Sequence, residues 1–222
     1  MPDLLTERLR TFVHEQNIHP DPLFQPYHSG VYAVVDCVFS SQARYAAVTA
    51  ALNRMGKRLP DTQELRFSRF LADVQSLGAE VYAVNVLTRQ RLSGRLKVEV
   101  ACDVARFFVE HGIETRAKFQ ERDIDQSEQL VLTDLVAAVH GVGPVLARYL
   151  LILLGREDHV KPDTLLSRLL ADIGGTPQSM EAMRRAVSIV AAEIGATPAR
   201  LDNALWKYES GGRRSLSWKT GE

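Results

Sequence analysis

The sequence predicts an all-α protein, and three features carry that prediction. Apolar residues recur at three- and four-residue spacing over most of the chain, helix-start signatures are frequent, and glycines close the periodic segments. Tyr32, Val35, Val38 and Phe39 lay out one such face, and Phe67, Phe70, Leu71, Val74 and Leu77 a second. Val100, Val104, Phe107 and Phe108 form a third; Met183, Val187, Ile189 and Val190 form a fourth with one slip. Val81-Tyr82-Ala83-Val84 is the nearest approach to a strand, and it is short.

The boundaries follow from local chemistry. Asp61-Thr62-Gln63-Glu64 and Asp125-Gln126-Ser127-Glu128 match the capping box, in which two side chains satisfy orphan amides of the first turn. Thr176-Pro177 and Thr197-Pro198 each set an N-cap before a proline whose missing amide costs nothing there. Stops fall at Gly56, Gly78, Gly112, Gly155, Gly174-Gly175 and Gly211-Gly212. The expectation is about nine or ten helices joined by short loops, with a polar tail over 211–222.

At 222 residues, 45% apolar and 24% charged, the chain suits one large domain or two small ones. Its longest apolar run, Tyr149 to Leu154, is too short to cross a bilayer. The opening MPDLLTERLR carries acids where a signal peptide carries basic residues, so a cytoplasmic location is expected. Cys37 and Cys102 are the only cysteines, which excludes a four-thiolate metal site or iron–sulfur cluster made within this chain. The histidines show no ligand spacing, and no metal is assigned. With 27 basic and 27 acidic residues, total charge does not announce nucleic acid. A local patch does stand out: Arg89, Arg91, Arg95 and Lys97 follow one another without an intervening acid, and Arg213, Arg214 and Lys219 form a weaker one. Either patch taken alone reads as a solvated loop.

The segment richest in chemistry is HGVGPVLARYLL with the downstream VKPDT. Leu130, Leu132, Leu135, Val136 and Val139 set out a helix that ends at His140-Gly141-Val142-Gly143, and a second helix starts at Pro144 and runs to Leu154. A Gly-Val-Gly turn at a helix N-terminus presents backbone amides to an anion, and a side chain in place of either glycine would hold a phosphate away. Val142 packs the helices together, and small Ala147 lies at their crossing. Asp163, before the apolar helix that begins at Thr164, reads as an N-cap. The same position pins a carboxylate that chemistry can use.

Together these residues resemble the helix-hairpin-helix DNA glycosylase superfamily (HhH-GPD), in particular its endonuclease III-like members. VFSSQARYAAV, RLSGRLKVEVACDVARFF and LDNALWKY extend the resemblance over most of residues 30 to 210. It implies two helical lobes with a DNA-binding cleft between them. Residues 30–148, with the helix-hairpin-helix at about 130–154, would form the central bundle, and 1–29 with 149–210 the second lobe. It implies that Gly141, Val142, Gly143 and Val145 hold a phosphate of the lesion strand; a monovalent cation there is compatible with it, and no other cofactor is implied. Asp163 would be the catalytic aspartate. Gln42 would fill the gap left by a flipped nucleotide, and Leu92 or Leu96 would be the intercalating wedge. Arg89, Arg91, Arg95 and Lys97 would neutralise phosphates around the kinked duplex.

Two departures narrow the reading. Members that also cut the strand carry a Schiff-base lysine two residues after the second glycine, where this chain has Val145. The C-terminal four-cysteine cluster of many relatives is absent. What the resemblance then implies is a monofunctional, cytoplasmic and nucleoid-associated DNA N-glycosylase. As a monomer it would flip a damaged or mismatched base from double-stranded DNA and hydrolyse its N-glycosidic bond. AP lyase activity through another lysine, such as Lys161, is not favoured. The alternatives are a weakly active or non-catalytic binder of lesion or abasic DNA, and a plain helix-hairpin-helix scaffold. The base itself is not readable: Tyr32, Phe39, Tyr45, Tyr149 and Trp206 are candidate stacking partners, and each also reads as core.

Overall fold

Helices dominate the computed structural model, which describes residues 3–24 and 26–212. Arg213, Arg214 and Lys219 of the expected tail lie outside the described residues. The chain divides into two compact units, Gln25–Gly155 and Met1–Phe24 with Arg156–Glu222. That division differs from the expected 30–148 boundary. The helix Pro144–Leu154 stays whole within the first unit, because Leu150, Leu151, Leu153 and Leu154 are all buried in that unit's core.

The Gln25–Gly155 unit is built around the helix Gly30–Ser40, in which every residue from Val31 to Phe39 is buried. A helix apolar on all sides belongs in the middle of a bundle, and this one packs against Tyr45–Gly56, Lys97–Glu110 and Pro144–Leu154. Phe67 and Phe108 stack with ring centroids 5.1 Å apart, and Phe119 meets Phe108 edge-on at 5.9 Å. Both cysteines are buried, and burial pushes the Cys102 thiol up to about 12.

The other unit packs Leu4–Glu15 against Thr164–Gly174 and Met180–Glu193, with Pro198–Lys207 completing it. Leu9, Leu169, Leu170, Val187, Val190, Leu201 and Leu205 make its core. Arg8 Nη1 donates to the Gly174 carbonyl at 2.7 Å, supplying a cation where the helix dipole ends negative. Among the described residues no helix is long and apolar enough to cross a membrane.

Local signals set some boundaries and misplace others. Thr197 caps Pro198–Lys207, with Pro198 at its start, and Asp163 caps Thr164–Gly174. Asp61 starts no helix; its carboxylate accepts the His28 and Ser29 amides at 3.0 and 2.7 Å instead, ahead of Gly30–Ser40. Asp123, not Asp125, caps Ile124–Gln129, and Ser179, not Thr176, caps Met180–Glu193. Each true cap lies within three residues of the expected one, where burial of the apolar face fixes the register. Val81–Val84 is helical, within Ala79–Asn85. The strands are instead Arg91–Leu92 and Arg95–Leu96, antiparallel, with Arg91 opposite Leu96. Ser93 and Gly94 close that hairpin with φ of 51° and 82°, the positive pair that a two-residue turn of matching twist requires.

Candidate functional site

Leu130–Leu135 adopts a π-helical turn between Ile124–Gln129 and Val136–Ala138, which lets Leu130, Val131 and Leu135 all point inward. Val139 then turns extended and buried, and Val142 N–H donates to the Val139 carbonyl at 3.1 Å. Gly141 has φ +99°, a conformation that side chains resist, and a Cβ there would stand 3.4 Å from Leu92 Cγ. Gly143 is the N-cap of Pro144–Leu154 and offers no side chain; a Cβ on it would meet nothing within 4 Å. The bend from Val136 to Gly143 lines an open concavity of about 480 Å³. The first-turn amide of Val145 has no partner within its own helix, because the α-helical ladder starts a turn later. Of the residues expected to hold a phosphate, Val142 needs correcting. Its amide is spent in the turn and its side chain is 4% exposed, so it shapes the bend and packs the hairpin.

The basic loop is less basic at its surface than its composition suggests. Lys97 is buried, and Nζ donates to the carbonyls of Phe39 at 2.9 Å and Ser41 at 2.5 Å and to Gln90 Oε1 at 2.9 Å. It staples the C-terminal end of Gly30–Ser40, where unpaired carbonyls concentrate, and is no phosphate-neutralising cation. Burial lowers its pKa to about 8. Leu92 and Leu96 are 9% and 3% exposed and belong to the core, so neither stands out as a wedge. The tight Ser93-Gly94 turn folds both leucines inward. Arg95 pairs with Asp103 at 2.7 Å, and Arg91 Nη1 donates to the Gly94 carbonyl at 2.8 Å. Arg89 and Arg91 are exposed. Gln42 follows the stapled carbonyls, exposed and with φ 53°. The Lys97 staple thus fixes the turn that presents it.

In the other unit, Asp163 Oδ1 accepts the amides of Leu165 and Leu166 at 2.9 and 3.0 Å. Oδ2 lies 3.8 Å from Lys161 Nζ, and the Asp163 side chain keeps 22% of its surface exposed. The cap therefore orients the carboxylate without sealing it in. Behind it, Asp202 on Pro198–Lys207 is buried and accepts the Lys161 backbone amide through Oδ2 at 3.0 Å. Burial first, and then the charge of Asp163, raise its pKa to about 7, against the opposing Lys161 amide bond and ammonium. Sequence reading missed Asp202. Its signal was an acid between Leu201 and the Ala204-Leu205 pair, on the face of a helix that those residues turn inward.

The aromatic candidates separate by burial. Tyr32 and Phe39 are core, Tyr45 is 45% exposed, and Tyr149 and Trp206 are half-buried. Tyr27 and Tyr149 hydroxyls donate to Asp36 Oδ2 at 2.7 and 3.3 Å. Burial and then the Asp36 charge push both phenols far above their ordinary value, so they act as neutral donors.

A family model described as a domain of unknown function, DUF8548, matches residues 4–210. No curated protein sequence matches the chain. Among solved structures, it is similar to the 3-methyladenine DNA glycosylase of Schizosaccharomyces pombe in complex with abasic DNA. The TM-score is 0.60 at 14% identity, over 94% of this chain and 97% of that one. The fold is thus that of a helical DNA glycosylase.

Proposed function

The chain belongs to the DUF8548 family, and from its DNA-glycosylase fold we propose that it acts on DNA as a monofunctional N-glycosylase. The observation that carries this reading is Asp163, a carboxylate with one oxygen fixed by two amides and a side chain still open to solvent. The C1′–N bond of an extruded nucleotide breaks with its electron pair leaving on the base. The sugar becomes an oxocarbenium ion, and the negative charge of Asp163 stabilises it. Water then adds at C1′ and gives up a proton, which the departed base takes up through solvent, leaving an abasic site in an intact strand. Val145 supplies no amine for a Schiff-base route.

The Gly141–Gly143 bend and the first-turn amide of Val145 hold a backbone phosphate in this reading. Gln42 occupies the gap left in the duplex, and exposed Arg89 and Arg91 contact phosphates. With Leu92 and Leu96 folded inward, Gln42 is the better-placed probe in the free protein. The second reading, a binder of lesion or abasic DNA, draws on Lys161: its ammonium 3.8 Å from Asp163 offsets the charge that chemistry would use.

A panel of duplexes tests the reading, each with a single uracil, hypoxanthine, 8-oxoguanine, ethenoadenine or 3-methyladenine. Release of at least one base, with strand breaks only after alkali, is expected. Tight binding to an abasic duplex without any release favours the binder, and absence of salt-dependent DNA binding overturns both.

Gly143→Ala isolates the phosphate grip. The new methyl meets no protein atom within 4 Å, so stability should change by less than about 0.5 kcal/mol. Duplex affinity, measured by fluorescence anisotropy, should fall about tenfold as the methyl holds the phosphate off. Unchanged affinity would remove this bend from the DNA contact.

A further inference from the structure

We propose that Asp202 is a positioning residue for Asp163, a second, buried carboxylate that fixes the segment carrying Asp163 and whose ionisation strengthens the negative charge available there. The inference rests on the glycosylase reading of Asp163. Its geometry is local. Asp202 Oδ2 accepts the Lys161 amide at 3.0 Å, the Asp163 amide donates to the Lys161 carbonyl at 2.7 Å, and Lys161 Nζ lies 3.8 Å from Asp163 Oδ2. Lys161 therefore links the two carboxylates, through its backbone to one and its ammonium to the other. A buried carboxylate whose job was only to cap an amide would serve equally well as an asparagine or a serine. An ionisable group is the costly choice in that position, and it adds something the neutral ones lack: a charge that changes with pH.

Among the described residues, the charged groups acting on Asp202 are Asp163, which opposes its ionisation, and the Lys161 ammonium, which favours it. Nearby, Arg168 on Thr164–Gly174 pairs with Glu209 at 2.8 Å, and Arg200 on the helix of Asp202 itself pairs with Glu157 at 2.9 Å. Burial and the Asp163 charge bring Asp202 up to about 7, so its proton leaves to solvent across neutral pH. Below that range the pair carries one negative charge, and above it two. The doubly ionised pair attracts a positive sugar more strongly.

The sign for stability follows from the same shift. The folded-state value lies above the ordinary 3.8 of an aspartate, so Asp202 contributes stability that is fully present below about pH 4 and is lost as pH rises through about 7.

Two measurements on the full chain test the proposal. In a carboxyl-carbon NMR titration, Asp202 should titrate near neutrality, and Asp163→Asn should move its midpoint down by about one unit or more. A midpoint that does not move overturns the coupling. In single-turnover base release, on whichever panel duplex the wild type processes fastest, the rate should rise about tenfold from about pH 6 to about pH 8. Asp202→Asn, which keeps an acceptor for the Lys161 amide, should lose that rise and stay at the low-pH rate. A D202N profile that superposes on the wild type's overturns the role of Asp202 while leaving the glycosylase reading intact. Failure of every duplex to release its base overturns that reading, and this role with it, even where the NMR coupling is found. If D202N does not fold, the titration of Asp163→Asn decides alone.

Discussion

Asp163→Asn is expected to slow base release about 100- to 1000-fold while leaving the fold and duplex affinity in place. The substitution separates the cap that Asp163 makes from the charge that the proposed chemistry asks of it. Capping needs only an acceptor oxygen for the Leu165 and Leu166 amides, and asparagine is as good an N-cap as aspartate. The helix Thr164–Gly174 should therefore persist. The weak ion pair to Lys161 is lost, and relief of the repulsion on Asp202 offsets part of that loss, so the stability change should stay below about 1 kcal/mol. What asparagine cannot supply is the negative charge that holds an oxocarbenium ion. Single-turnover kinetics on a processed duplex, with denaturation and anisotropy as controls, measure the three quantities separately. Release at the wild-type rate would take Asp163 out of the chemistry and leave it a cap.

The contrast between Asp163 and Lys97 explains what sequence makes legible. Asp163 was readable because its structural role is local: a carboxylate before Thr164, followed by an apolar helical face, finds its partners two and three residues on. Gly141, Gly143 and Pro144 were readable for the same reason, since backbone conformation and a missing amide are properties of the residue itself. Lys97 is different. The two carbonyls it holds, of Phe39 and Ser41, are 58 and 56 residues away, and its one near partner, Gln90, is a polar residue that does not by itself mark a buried ammonium. Counting it with Arg89, Arg91 and Arg95 assigned to the surface a charge that the interior uses. Leu92 and Leu96 were misplaced by the Ser93-Gly94 turn, whose two-residue strands are too short to leave an alternating pattern. Asp202 escaped because its significance depends on Lys161, on another segment of the chain. Local chemistry thus gave the helices, the bend and the cap, whereas the electrostatics around them are set by tertiary partners.

Phe108→Ala should cost about 4 to 5 kcal/mol, near the upper end for removal of a buried ring, measured by urea denaturation with circular dichroism. The size of such a loss depends on whether neighbours can fill the space, and here they are held. Phe67, stacked on Phe108, has the tip of its ring against Gly30, where an added Cβ would stand 2.6 Å from Cζ. The edge-on partner Phe119 is fully buried in its own right. Moving either ring toward the gap opens another void, so the cavity stays. The helix involved, Lys97–Glu110, carries the Phe108 anchor near one end and the Lys97 staple at the other. Loosening the anchor therefore reaches the turn that presents Gln42, and duplex affinity should fall even below the denaturation midpoint. A loss smaller than about 2 kcal/mol would mean that the ring cluster closes over the gap. The helix would then be held mainly by its N-terminal staple.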